Sequence, residues 1–262
     1  MNLQIVPAKQ GLLWVKQGIR TFWRQPLAFT GLFFLFMAWV SVLSMVPLIG
    51  AALALLILPA ATLGLMVATE QAASGKFPMP TVMLVAFRAG QLRLKAMMVL
   101  GSLYALSFLA VMGISALVDG GAFARVYLAN APITPEVVND ADFQAAMWLA
   151  TILYVPLSML FWHAPALVHW HGVPPIKSLF FSAVACWRNL GAFALYLLAW
   201  AGVFVAGATV ILVISSALGG NDLTGAVLMP GALLMAAMFF TSVYYSVKDC
   251  FDLPEPGSEH QA

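Results

Sequence analysis

The chain has 262 residues, 63% of them apolar and only 8% charged, with a net charge of +2. Soluble domains use roughly 25% charged residues, so these few cannot cover a water-facing surface and lipid must be the solvent over most of the chain. This excludes a soluble enzyme and a nucleic-acid-binding module, and it leaves the placement of the charges as the informative feature.

The chain opens on a cationic stretch. From Lys9 to Arg24 the apolar residues Leu12, Val15, Ile19 and Phe22 recur at helical spacing, and Lys9, Lys16, Arg20 and Arg24 occupy the other face. This predicts an interfacial helix on an anionic leaflet, each cation contributing about 1 kcal/mol. A cleaved signal peptide is not expected, because the apolar run Leu27–Val46 exceeds the h-region length of about 7–15 residues.

Six runs long enough to span follow, near 27–46, 49–69, 96–118, 147–169, 191–218 and 225–247, and none contains Asp, Glu, Lys or Arg. About 20 residues cross the hydrocarbon core. Only Pro47 and its neighbours separate the first two runs, so they form a tight hairpin. With the N-terminus inside, eleven of the twelve basic residues fall on cytoplasmic segments and only Arg125 falls outside. The outer loop 119–146 instead carries Asp119, Glu136, Asp140 and Asp142. The basic-residue rule therefore places both termini in the cytoplasm. Residues 1–248 read as one membrane domain and 249–262, polar with Pro254 and Pro256, as a disordered tail.

Three segments share one plan: an amphipathic stretch ending in a basic residue leads directly into a span. They are Gly18–Phe29, Ala86–Leu100 and Ala183–Leu198. The fold class is thus all-α, a polytopic membrane protein of six transmembrane helices built from three repeats of an interfacial helix plus a hairpin.

The stretch Tyr154–Leu190 stands out. His163 lies inside a span with Pro156 and Pro165, a Gly-Val-Pro-Pro break follows, and an amphipathic segment ends in Trp187, Arg188 and Asn189. Each proline frees a backbone carbonyl four residues earlier, at Ile152 and Phe161, and the His163 imidazole is expected to bond such a group. His163, Trp170 and Arg188 form the candidate lipid or partner pocket, with the planar guanidinium suited to phosphate or carboxylate. His163, His169 and His171 lack the i, i+4 spacing of a metal pair. No metal or other cofactor is expected, and no catalytic residue is assigned. Cys186 and Cys250 fall on cytoplasmic segments, where a disulfide is not expected. Thr134-Pro135-Glu136 reads as a helix start, and Asp140-x-Asp142 lacks the further oxygen ligands of a calcium loop.

The segment FWHAPALVHWHGVPPIKSLFFSAVACWRN resembles a family of uncharacterised six-helix inner-membrane proteins from proteobacteria. The likeness rests on Trp162–Val168, the His-Gly-x-Pro break and the Cys-x-Arg-Asn end. It implies the six-span fold and no particular activity. A looser likeness, in the hairpin units alone, is to the membrane domain of bacterial glycerophosphodiester phosphodiesterases. Their soluble catalytic domain is missing from these 262 residues, so that activity is not implied. The leading functional expectation is non-enzymatic: a lipid-associated envelope protein, or a subunit that docks a membrane-protein partner or a second copy. A facilitator of a neutral or amphipathic solute is the alternative, and a metal- or haem-dependent membrane enzyme the third.

Overall fold

A computed structural model describes residues 2–129, 131–218, 221–251 and 253. In chain order the helices are α1 (Gln10–Arg24), α2 (Pro26–Ser44), α3 (Gly50–Ala73), a 3-10 turn at Pro80–Leu84, α4 (Val85–Arg88) and α5 (Gln91–Asp119). Then come α6 (Ala122–Ala129), α7 (Pro135–Asn139), α8 (Ala141–Phe161), α9 (Ala164–His171), α10 (Pro175–Arg188), α11 (Leu190–Leu218) and α12 (Asn221–Cys250). No strand occurs among the described residues beyond a single bridge between Leu3 and Phe251.

Six helical stretches are long and apolar enough to cross a membrane: Pro26–Ser44, Gly50–Ala73, Gln91–Asp119, Ala141–His171, Leu190–Ser216 and Val227–Cys250. They match the six apolar runs. The fourth is not one helix but α8 and α9, broken at Trp162 and His163. The last helix continues to Cys250, and Phe251 is buried, so the expected tail can begin only after Phe251. Residues 254–262 of that tail lie outside the described residues.

The order short helix, joint, long helix occurs at α1–α2, α4–α5 and α10–α11. The second differs from the other two. Its basic residues Arg93 and Lys95 belong to the long helix, and α4 is a single turn.

The chain divides into two compact units, where the sequence reading has one membrane domain. Unit 1 is Met1–Phe36, Thr62–Val85 and Ala185–Ala262; unit 2 is Met37–Ala61 and Ala86–Val184.

In unit 1, α1 packs on both α11 and α12. Its buried stripe is Gly11, Trp14, Val15, Gly18, Thr21 and Phe22. The expected apolar face is therefore corrected: Val15 and Phe22 point inward, but Leu12 is exposed and Ile19 only half-buried. The glycines explain the rotation. A Cβ on Gly11 would overlap the Ala192 carbonyl oxygen of α11, and one on Gly18 would sit 2.6 Å from Ser242 Cα of α12. Small residues let backbones meet this closely, so α1 is held by protein along that face. Its cations Lys9, Lys16, Arg20 and Arg24 are exposed.

In unit 2, α5 lies along α8, and Gly101 on α5 meets the Leu56 carbonyl of α3. The loop 119–146 is ordered by local caps. Asp119 accepts from the amides of Gly121 and Phe123 at 2.8 and 2.6 Å, and Gly120 and Gly121 have positive φ. Thr134 caps α7 as read from sequence. Its hydroxyl also bonds the Glu136 carboxyl, which lies below its ordinary pKa chiefly for that reason. Asp140 caps α8, accepting from Phe143 N at 2.8 Å.

Candidate functional site

Polar groups inside the spans gather in few places, and the first is the break in the fourth span. In an unbroken helix the His163 amide would donate to the Met159 carbonyl, four residues back. Here the Ser182 hydroxyl of α10 stands between them. It donates to Met159 O at 2.7 Å and accepts from His163 N at 2.9 Å. A side chain inserted into the ladder is a recognised cause of a sharp helix bend. Pro165 falls in the first turn of α9, where its missing N–H removes no intrahelical bond. Gly172, with φ 62°, ends α9, and Pro175 starts α10. The prolines were expected to free the carbonyls of Ile152 and Phe161. Pro156 sits inside a continuous α8, where its missing N–H leaves the Ile152 carbonyl without an i+4 donor; at the break a further carbonyl, that of Met159, is taken up by Ser182.

Of the three pocket residues, His163 is fully buried and Trp170 is buried, its ring 5.5 Å from that of His169. Both belong to unit 2, whereas Arg188 belongs to unit 1 and lies exposed at the end of α10. No group of three metal-capable side chains forms among the described residues.

The residue beside Arg188 does more. Asn189 is buried at the joint between α10 and α11. Its Oδ1 accepts from Val6 N at 2.8 Å, and its Nδ2 donates to Gln4 O at 3.1 Å and Ala185 O at 3.0 Å. Gln4 N in turn donates to Cys250 O at 2.9 Å. One amide thus ties the extended N-terminal segment to α10 and to the end of α12. Cys186 and Cys250 form no disulfide and are buried around it, and burial pushes the Cys186 thiol up.

The third polar place is the last half of α12. Ser242 uses its own proton on Phe239 O at 2.6 Å, so it accepts from Tyr196 OH at 2.6 Å and Trp200 Nε1 at 3.1 Å. One turn on, the hydroxyls of Tyr245 and Thr21 meet. Next, Asp249 Oδ2 accepts from Trp14 Nε1 at 2.8 Å and from Gln10 Nε2. Residues 242, 245 and 249 form one helical stripe, and two of its three positions bind α1. Sequence reasoning missed this stripe and Asn189. The signal was present in the run Thr241–Asp249, unusually rich in hydroxyls for a span.

A lipid-solvated chain with six candidate spans and satisfied polar groups at its helix breaks is an integral, multi-pass α-helical membrane protein. Over 261 residues it is 40% identical to a probable inner membrane protein of Burkholderia thailandensis, covering 98% of this chain and 97% of that one. The chain belongs to the same family of inner-membrane proteins. No family model and no solved structure matches it.

Proposed function

We propose that the protein is a non-enzymatic subunit of an inner-membrane complex, docking a partner helix along the free face of α11, with both termini cytoplasmic. What supports this is α11 itself. Along α11 the residues Leu198, Gly202, Val205, Ala206, Thr209 and Val213 share one exposed side, and a Cβ added at Gly202 would meet nothing within 4 Å. Helices in lipid associate by close van der Waals packing rather than hydrophobic drive, and small residues enable it. Cross-linking in native membranes tests the reading. Gly202→Leu fills the open face without touching the fold, so it should abolish partner capture while leaving melting unchanged. Equal capture by wild type and variant refutes it.

A second reading is lipid association, favoured by the exposed cations Lys9, Lys16, Arg20 and Arg24, which stand beside exposed Leu12, Leu13 and Trp23. Arg188, also exposed, adds a guanidinium for lipid phosphate. The orientation rests on the eleven-to-one split of basic residues.

A further inference from the structure

The hairpin between α2 and α3 ends in a tip with no polar side chain. From Met45 to Gly50 the sequence reads Met-Val-Pro-Leu-Ile-Gly, and Met45, Val46, Pro47, Leu48 and Ile49 are all exposed. Counted by spans, the loop 119–146 lies on the same side. That loop carries Asp119, Arg125, Glu136, Asp140 and Asp142. The contrast asks which solvent the tip meets.

Leu48 sharpens the question. It is the one non-glycine residue with positive φ among the described residues, at 67°. Left-handed backbone suits glycine or asparagine and makes a bulky side chain an outlier. A turn in water can use either. Here the position keeps a leucine with a fully exposed side chain, so the tip stays apolar against the preference of its own backbone.

The backbone closes on itself. Met45 N donates to Val42 O at 3.3 Å, Val46 N to Leu43 O at 3.1 Å, Ile49 N to Pro47 O at 2.8 Å and Gly50 N to Val46 O at 2.9 Å. Pro47 has no N–H to place. Gly50 permits the closure, because a Cβ there would stand 2.6 Å from Ser44 O and 2.7 Å from Leu43 O. Hydrocarbon demands such internal bonding, whereas water would satisfy an open loop. Among the described residues only Leu48 N has no backbone acceptor in the tip.

Length sets the depth. The helix α2 has 19 residues, a rise of about 28 Å at 1.5 Å each. Just before it Arg24 is exposed, as is Lys76 after α3. Gln25 Nε2 donates to Lys76 O at 3.2 Å, so these two charged feet stand at one level, where charge belongs outside the hydrocarbon. The core is about 30 Å thick, and at a usual tilt of about 20° this helix crosses only about 27 Å of it. The helix therefore ends before the core does.

We propose that the α2–α3 hairpin closes inside the bilayer, with Met45–Ile49 seated in the lipid of the leaflet opposite Arg24 and Lys76. The tip offers no side-chain donor or acceptor and its amides are largely spent, so acyl chains are the medium it fits. At the margin of the core the ester carbonyls give the Leu48 N–H an acceptor. The proposal does not depend on docking at α11 and stands if that role fails.

The test uses the full chain in nanodiscs of phosphatidylethanolamine and phosphatidylglycerol, where buffer reaches both faces. An environment-sensitive nitrobenzoxadiazole probe is attached at Leu48→Cys or, as a control, at Asn139→Cys in the charged loop, an exposed position. Wild type sets the blank, since Cys186 and Cys250 are buried. Nitroxides on lipid acyl chains should quench the probe at position 48 while aqueous iodide leaves it bright, and the order should reverse at position 139. Iodide quenching as strong at 48 as at 139 puts the tip in water and overturns the proposal. So does a probe at 48 that neither quencher reaches, which places the tip against protein. Met45→Cys repeats the measurement if Leu48→Cys cannot be recovered. A second measurement needs no probe. Leu48→Gly and Leu48→Asn both suit the positive φ. In lipid the Asn variant should melt below the Gly variant, because it brings a carboxamide into an apolar medium. In water it should melt at the same temperature or above, because glycine loses more chain entropy on folding. That second order also overturns the proposal.

Discussion

Replacing Gly18 by alanine separates a docked α1 from one that merely lies on the bilayer, because the two arrangements predict opposite signs. On a helix facing lipid and water, Gly→Ala removes a flexible residue and stabilises by about 1 kcal/mol. In the structure the new Cβ would stand 2.6 Å from Ser242 Cα and 2.8 Å from Ser242 N. A relaxed carbon contact needs about 3.5–4.0 Å, so α1 and α12 must part by roughly 1 Å. Both atoms are backbone and cannot rotate away. Ser242 is also the acceptor for Tyr196 and Trp200, so its displacement strains two further bonds. Overpacking costs about 1–3 kcal/mol. The upper end applies here, and subtracting the propensity gain of about 1 leaves a net loss of about 2 kcal/mol. Hydrogen exchange of the α1 amides in the intact protein reads this directly: protection should fall about thirtyfold, at tenfold per 1.4 kcal/mol. Gly31→Ala in α2 is the control, since its Cβ would meet nothing within 4 Å. If α1 protection in Gly18→Ala equals or exceeds wild type, the docked arrangement is wrong.

Ser182→Ala removes the acceptor of the His163 amide and a donor to Met159. At about 1–3 kcal/mol for each of the two disrupted buried bonds, it should cost about 2–6 kcal/mol in detergent unfolding, with Ser182→Thr largely restoring stability; an alanine variant as stable as wild type would remove the splice. For orientation, the native thiols are poor reporters because both are buried. Cysteines at the exposed positions Ser74 and Asn139 should respond instead, Asn139→Cys reacting with an impermeant reagent on intact spheroplasts and Ser74→Cys only after lysis; the reverse pattern inverts the topology. Gln at Lys16, Arg20 and Arg24 should weaken binding of the isolated α1 peptide to anionic vesicles by about 2–3 kcal/mol, at about 1 per charge, and unchanged binding would leave those cations as orientation signals alone.

The spans were legible because the solvent imposes them: hydrocarbon demands long uncharged runs and tolerates only helices. The start of α7 was legible in the Thr134-Pro135-Glu136 signal, which acts within three residues; the Asp140 cap that starts α8 acts over the same range but was passed over. The face of α1 was not. Lipid and protein interior are both apolar, so the periodicity of large residues cannot say which flank meets protein, and a pattern of hydrophobes passes over Gly11 and Gly18. His163 and Trp170 were singled out and are buried, but the partner that shapes the break is Ser182, 19 residues on. No local rule joins a serine to a distant broken turn. Arg188 drew attention because charge is rare here. Its neighbour Asn189 makes the connections because a carboxamide both donates and accepts. The contact between the Tyr104 and Tyr154 hydroxyls joins residues 50 apart and exists only once α5 and α8 have packed.

The docking of α1 also sets an order of events during synthesis. Trp14 and its acceptor Asp249 are 235 residues apart, and α1 is the first helix made while α11 and α12 are the last. At about 5–20 residues per second, the ribosome takes roughly 10–50 s to deliver Asp249 after Trp14. Through that interval the Gly11–Trp14–Gly18 face of α1 has no mate. The N-terminal segment can close onto Asn189 and Cys250 only after α12 has been made. A nascent chain that stalls before α12 leaves that segment open to proteases and chaperones.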